Sequence, residues 1–102
     1  NMTIQWVNIR DDTIVQGIAY VKKGFQAQLH HHPETEDYYF VYGTGLLYHN
    51  GKREIIHAPK KIHIEADDVH AMTPLSDYVV LFYQFAKGPF SSIKYTYLKS
   101  YL

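Results

Sequence analysis

The sequence predicts an all-β domain that folds as an antiparallel β-barrel, in the arrangement known as a double-stranded β-helix or jelly roll. Hydrophobic residues alternate at a period of two in many short stretches, as they do in half-buried strands. No window of about 11–18 residues sustains the spacing of an amphipathic helix. Turn-forming residues separate the stretches, and a small all-β domain must close or cover the edges of its sheets.

Ten stretches rich in β-branched and aromatic residues are predicted as strands. They are Thr3–Ile9, Thr13–Val21, Phe25–His31, Glu36–Tyr42, Leu46–His49, Arg53–His57, Lys61–Ile64, Val69–Thr73, Tyr78–Phe85 and Ile93–Leu98. Gly and Asn between them supply positive φ, and Pro removes a donor from the strand ladder. Asn50-Gly51 is the clearest turn, because a two-residue loop between alternating stretches is typical of a type I′ hairpin.

Length and composition exclude several classes of function. The 102 residues form one domain, residues 1–102, and 46% hydrophobic residues fill a core without disulfides. Ten basic and ten acidic residues cancel, so nucleic acid is not an expected partner. No apolar stretch approaches the ~18 residues of a membrane span, and the segment from Asn1, ahead of the expected initiator Met2, to Gln5 does not resemble a signal peptide. We therefore expect a cytoplasmic protein without a membrane partner.

Seven histidines and no cysteine point to a metal site made of nitrogen and oxygen ligands. His30 and His32 are two residues apart on a predicted strand, so their imidazoles share a face and can converge on one ion. Glu36 opens the next antiparallel strand beside them, and a tight turn at Asp67 precedes His70 at the start of another strand. Three imidazoles and one carboxylate suit one divalent Fe, Mn, Ni, Cu or Zn ion per chain.

This segment resembles the first motif of the cupins. That motif reads Gly, five residues, His-x-His, three or four residues, Glu, six residues, Gly, and every fixed position is met by Gly24, His30, His32, Glu36 and Gly43. The resemblance implies a small single-domain cupin of the conserved-barrel type, with six to eleven strands and one metal ion.

The second cupin motif is matched only at its histidine, His70. Glu65, Asp67 and Pro74 stand where the motif has Pro, Gly and Asn. Asp still permits the turn before His70, because it tolerates the left-handed region better than most residues. The resemblance therefore implies that His70 is the remaining ligand.

Several side chains share a strand face with the predicted ligands and are expected to line a substrate pocket. They are Gln26, Gln28, Tyr38, Phe40 and Tyr42. Core packing is the plainer interpretation of the three aromatic residues. Glu36 and Tyr38 are the candidate catalytic residues, with Glu36 as a proton shuttle and a Tyr38 or Tyr42 hydroxyl as donor to a bound ligand.

Other candidates for the metal site are weaker. His31 points to the opposite face of its strand, and His49, His57 and His63 are expected at the surface, with His63 as the first substitute for His70. Glu34 competes with Glu36, but the spacing back from Gly43 in the cupin motif favours Glu36.

The cupin resemblance covers many functions, because a fold does not determine an activity. The leading hypothesis is a metal-dependent enzyme of dioxygenase or isomerase type, acting on a small oxygen-rich molecule. The alternatives are a non-catalytic module that binds a sugar or acid, and a metal that only ties strands together. A homodimer is expected from the habit of the family, and the tyrosines of the C-terminal segment, Tyr95, Tyr97 and Tyr101, would pack on the barrel or on a second subunit.

Overall fold

The computed structural model describes residues 3–102, so the expectations for Asn1 and Met2 concern residues outside it. Ten strands are present, and a single 3-10 turn, Phe90–Ser92, is the one helical element of these residues. The strands are β1 (Ile4–Asp11), β2 (Val15–Lys22), β3 (Gln28–His31), β4 (Glu36–Tyr42), β5 (Thr44–His49), β6 (Lys52–His57), β7 (Lys60–Ile64), β8 (His70–Pro74), β9 (Tyr78–Phe85) and β10 (Thr96–Tyr101). Within residues 3–102, no helix could traverse a lipid bilayer.

The strands form two five-stranded antiparallel sheets. The first sheet has the order β1-β2-β9-β4-β7, and the second has the order β10-β3-β8-β5-β6. From β2 to β5 and from β6 to β10 the chain alternates between the two sheets, whereas β1–β2 and β5–β6 are hairpins within one sheet. The predicted all-β jelly roll is therefore confirmed.

All ten predicted strands overlap an observed one, and the two largest differences lie beside the cavity described below. The strand predicted at Phe25–His31 begins at Gln28, because the Phe25 amide donates to Lys22 O (3.2 Å) and closes a turn. The strand predicted at Ile93–Leu98 begins at Thr96, because the Ile93 amide donates to Phe90 O (3.0 Å) and ends the 3-10 turn.

The hairpin between β5 and β6 has the turn that the sequence predicts. Asn50 and Gly51 have φ values of 49° and 88°, so both central residues occupy the left-handed region that a type I′ turn requires. His49 pairs with Lys52 across this turn, which fixes the register of β5 against β6.

The core lies between the two sheets and follows the alternation of their strands. On β9, Tyr83 and Phe85 face inward while Phe82 and Gln84 face outward, a choice that alternation alone leaves open. Val15 on β2 and Leu47 on β5 are almost fully buried against this face. Each such side chain contributes roughly 1.5–3 kcal/mol by leaving water.

Gly17 is needed at its position on β2 because the Tyr83 ring covers it. The two residues are direct partners across β2 and β9, and the Tyr83 hydroxyl donates to Asn8 Oδ1 (2.7 Å). A Cβ at Gly17 would collide with the Tyr83 ring and lie 2.6 Å from Val7 O. The Val7 backbone is held in β1 and the Tyr83 ring by its hydrogen bond to Asn8, so neither can move away easily.

We expect Gly17→Ala to lower the free energy of unfolding by about 1–3 kcal/mol, because overpacking displaces the Tyr83 ring. Urea denaturation measures the change. Ile18→Val is the matched control, since Ile18 is the next residue and faces outward at 43% exposure; its effect should stay within about 0.5 kcal/mol. Equal stability of the two variants would show that Tyr83 does not cover Gly17.

Candidate metal centre

Three histidines meet beside two neighbouring strands of the second sheet, β3 and β8. His30 on β3 is the direct partner of His70 on β8, and their rings lie 4.3 Å apart. His32 directly follows β3 and turns its ring toward the same point. Each histidine offers a ring nitrogen, and these nitrogens lie within 4.8 Å of one another. The structure thus brings together the three histidines that the sequence places at one ion.

Backbone carbonyl groups orient all three rings. In each case Nδ1 donates to the carbonyl oxygen of a residue two positions away. These bonds are His30 Nδ1 to Gln28 O (2.9 Å), His32 Nδ1 to Glu34 O (2.8 Å) and His70 Nδ1 to Asp68 O (2.7 Å). A carbonyl oxygen can only accept, so Nδ1 carries the hydrogen and Nε2 of a neutral ring is left with a lone pair.

The Nε2 atom of His70 lacks the partner that a buried nitrogen needs. His70 Nε2 is buried without a hydrogen-bond partner, and the Glu36 carboxylate oxygen Oε1 is 3.7 Å away. His32 Nε2 lies 3.1 Å from the same oxygen. A lone pair facing a carboxylate is unfavourable, so His32 must carry a second proton there unless another cation takes its place. The donor set therefore fits a divalent transition metal.

Burial and neighbouring charges determine the protonation of these groups. Burial, together with the nearby His70, lowers the pKa of His30 to about 4, so this ring is neutral at neutral pH. Burial alone would disfavour protonation of His32, but its hydrogen bond to Glu36 and the charge of that carboxylate raise the pKa. Burial likewise opposes ionisation of Glu36, yet the hydrogen bond from His32 and the proximity of His70 keep its pKa below the usual range.

A network at the turn before β8 holds the carbonyl that orients His70. The Asp68 carboxylate accepts hydrogen bonds from His49 Nε2 (2.8 Å), Asn50 Nδ2 (2.8 Å) and the Glu65 amide (2.9 Å). Although burial acts in the opposite direction, the bonds from His49 and Asn50 lower the pKa of Asp68 to about 2. The turn is therefore anchored by a carboxylate that is ionised at neutral pH.

A cavity of about 640 Å³ opens beside His30 and Glu36. Tyr38 lines it, and the Tyr38 ring lies 5.9 Å from the His70 ring. Burial, and then the charge of Glu36, raises the pKa of Tyr38, so its hydroxyl stays protonated at neutral pH. The centre can therefore meet a small molecule that enters the cavity.

Solved structures share this architecture. A cupin-like protein from Thermotoga maritima matches with a TM-score of 0.78 at 16% identity, over 95% of this chain and 77% of that one. The fold is that of the cupins. No protein-family model matches the sequence, and no curated protein matches it either.

Two enzymes also share this cupin fold. The DMSP lyase DddQ from Ruegeria pomeroyi DSS-3 matches with a TM-score of 0.77 at 13% identity, over 92% of this chain and 51% of that one. A salicylate 1,2-dioxygenase from Pseudoaminobacter salicylatoxidans, in adducts with gentisate, matches with a TM-score of 0.82 at 10% identity, over 96% and 30%. This chain thus spans about half of the lyase and about a third of the dioxygenase.

The predicted pocket residues divide between the cavity and other parts of the cupin fold. Gln26, Gln28 and Tyr38 line the cavity, whereas Phe40 is buried in the core and Tyr42 lies outside. Tyr42 is 53% exposed and stacks on Tyr78 with ring centroids 4.8 Å apart. The prediction for Tyr42 assumed strict alternation, but the pairing of β4 with β9 shifts register between Phe40 and Tyr42.

Two residues that lie near the centre were not predicted there from the sequence. His49, expected at the surface, is the direct partner of His70 across β5 and β8 and bonds Asp68. Tyr95, expected in a tyrosine face on an edge strand, precedes β10 and lies 5.6 Å from the His30 ring and 5.2 Å from the His32 ring. Neither position follows from the spacing of the chain, because both depend on which strands pair.

The remaining histidines and Glu34 have other partners. His31 contacts Asp67 (3.0 Å), and His57 contacts the Thr44 hydroxyl (3.2 Å). His63 lies between Asp37 (2.6 Å) and Glu65 (2.8 Å). Glu34 Oε1 accepts from the Lys94 amide (3.3 Å), while Glu36 faces the histidines. The geometry thus favours Glu36 over Glu34 as the carboxylate of the centre.

We expect His70→Ala to weaken binding of Zn²⁺ or Mn²⁺ by at least about 100-fold, because one nitrogen donor is lost. Isothermal titration of the metal-free protein measures the affinity and the stoichiometry. His57→Ala, which removes an exposed histidine, should leave both unchanged. Equal binding by the two variants would exclude His70 as a ligand.

The His63 pairs predict a pH dependence of stability. The hydrogen bond to Asp37 is the main cause that raises the pKa of His63 above its usual 6.5, with the charges of Asp37 and Glu65 adding to it. Stabilisation by these exposed pairs is therefore fully present below pH 6.5 and is lost as the pH rises through the raised value.

Accordingly, we expect His63→Gln to lower the melting temperature by about 1–4 °C at about pH 5.5, and by less at about pH 9. Differential scanning calorimetry measures both values. His57→Gln serves as control, because the described partner of His57 is a hydroxyl group. A loss of melting temperature in His63→Gln that grows with pH would contradict a raised pKa of His63.

Proposed function

We propose that this protein is a metal-dependent enzyme that acts on a small oxygen-rich molecule, with one divalent Fe, Mn, Ni, Cu or Zn ion per chain. The observation that carries the proposal is the buried Nε2 of His70, which lacks a hydrogen-bond partner beside two further histidines. A buried polar atom of this kind is normally satisfied, and a metal ion would satisfy it here.

We assign Glu36 as the fourth ligand, with His30, His32 and His70 as the other three. Its Oε1 is close to two of the ligand nitrogens, and its side chain is buried at 4% exposure. An ionised carboxylate in this place would balance part of the charge of the ion. When bound, a divalent ion supplies Lewis acidity, which lowers the pKa of an oxygen ligand.

The chain itself supplies a hydrogen-bond donor and an acceptor for protons beside this set. The Tyr38 hydroxyl is protonated and its side chain lines the cavity next to the His70 ring, so it can donate to an oxygen atom of the bound molecule. The second carboxylate oxygen of Glu36 can accept a proton from the molecule or return one. Glu36 is buried and Tyr38 is half-buried, so water only partly screens their interactions with a bound molecule.

Structural neighbours support an enzyme, since a DMSP lyase and a salicylate dioxygenase share the fold. A dioxygenase- or isomerase-type reaction is the class that we propose, and non-catalytic binding of a sugar or acid is the alternative. Location in the cytoplasm and assembly as a homodimer stay predictions.

Turnover of a panel of gentisate, DMSP, 2-hydroxy acids and uronates by metal-loaded protein, followed by mass spectrometry in air, tests the proposal. We expect conversion of at least one compound, its loss after chelation and its return with the metal. Tyr38→Phe should retain the metal and reduce kcat by about 10²–10⁴-fold, while Tyr42→Phe, outside the cavity, should not change it.

Two results would contradict this proposal in different ways. Undiminished turnover by metal-free protein would exclude the metal from the reaction. Tight binding of compounds that are recovered unchanged, with every metal tested, would favour the non-catalytic module.

A further inference from the structure

The wall of the cavity is mostly aromatic. Nine of the nineteen lining residues are Phe, Tyr or Trp, and six more are aliphatic, Ala or Met. No lysine or arginine lines the cavity in the part of the chain that the structure describes. The polar lining residues other than tyrosine are Gln26, Gln28, His30 and Glu36.

Two polar side chains of the wall are hydrogen-bonded within the protein. Gln28 Nε2 donates to Leu98 O (2.7 Å), which ties β3 to β10, and the Tyr83 hydroxyl donates to Asn8 Oδ1 (2.7 Å). His30 and Glu36 belong to the metal centre. No lysine or arginine among the lining residues can pair with a second carboxylate or a phosphate.

Aromatic side chains also form the mouth of the cavity. Trp6 on β1 and Tyr97 and Tyr101 on β10 line it and are 51%, 57% and 61% exposed. β1 is an edge strand of the first sheet, and β10 is an edge strand of the second. The Tyr97 ring stacks on Tyr95 with centroids 5.9 Å apart and planes 14° apart, so a flat aromatic surface leads from the mouth to the histidines. Exposed apolar surface of this kind marks a binding site.

We infer that the cavity recognises a molecule whose polar, oxygen-bearing end lies at the metal centre and whose body is uncharged and aromatic. The inference rests on the proposed function for the place of the polar end. The inference itself concerns the body of the molecule, because the aromatic wall can stack on a ring and shield it from water. Dicarboxylates and phosphorylated compounds are therefore not expected as preferred ligands, because no lysine or arginine lines the cavity.

Three 2-hydroxy acids test the inference on Zn²⁺-loaded protein, because they share one end and differ in the body. Mandelate carries a phenyl group, lactate a methyl group and malate a carboxymethyl group. Trp6 is the one tryptophan of the chain and lines the cavity, so its fluorescence reports binding. We expect mandelate to bind at least about tenfold more tightly than lactate or malate, because the phenyl ring leaves water.

Two variants that each introduce a lysine test whether the lining of the cavity determines the preference for mandelate over malate. Tyr101→Lys places a cation at the mouth and should shift the affinity ratio of malate to mandelate by about tenfold in favour of malate. Tyr42→Lys is the matched control, since Tyr42 is similarly exposed, at 53% against 61%, but lies outside the cavity. It should leave the ratio unchanged.

The outcomes separate the inference from the proposed function. Equal affinities, tighter binding of malate, or no binding of any of the three by Zn²⁺-loaded protein would overturn the inference and leave the metal site intact. Tighter binding of 4-amino-2-hydroxybutanoate than of mandelate would also overturn it, because the preferred body would then be cationic. Failure to bind any of the divalent Fe, Mn, Ni, Cu and Zn ions would refute the proposed function, and the same titrations on metal-free protein would still measure the preference for the body of the molecule.

Discussion

The candidate metal centre depends on hydrogen bonds from three Nδ1 atoms to backbone carbonyls. They settle which nitrogen of His30, His32 and His70 carries the hydrogen, and they direct each Nε2 toward one point. A carbonyl group held in a sheet or an anchored turn moves little, so the rings need no support from flexible side chains. The centre therefore depends on the positions of β3 and β8 more than on any single side chain around it.

A second constraint is the burial of a carboxylate among these rings. Glu36 is ionised inside the fold only because His32 and His70 lie next to it. The lone pair of His32 Nε2 can take an extra proton or a metal ion, but not both. The extra proton would leave His70 Nε2 without a partner. The aromatic cavity opens beside Glu36 and His30. Its polar groups at the histidines and its apolar wall therefore lie in different parts of the same cavity.

Local spacing predicted that His30, His32 and Glu36 lie together, because the positions of neighbouring residues follow from the geometry of strands and turns. The interval between His30 and His32 places two rings on one side of the chain, and the turn at Glu34 returns Glu36 to them. Alternation failed for Tyr42, where a register shift in the β4–β9 ladder turns the side chain outward. The roles of His49 and Tyr95 depend on contacts between residues far apart in the chain, which periodicity does not encode.

The sequence by itself determined the all-β class, the Asn50-Gly51 turn and the residues able to bind a metal, because each depends on chemistry within a few residues. Only the tertiary structure decided that His70 lies opposite His30, that Asp68 and His49 anchor the preceding turn, and that tyrosines of β10 meet Trp6 of β1 around one cavity. Those features follow from the pairing and packing of distant strands, where many arrangements satisfy the same alternation and the burial of the whole core selects one.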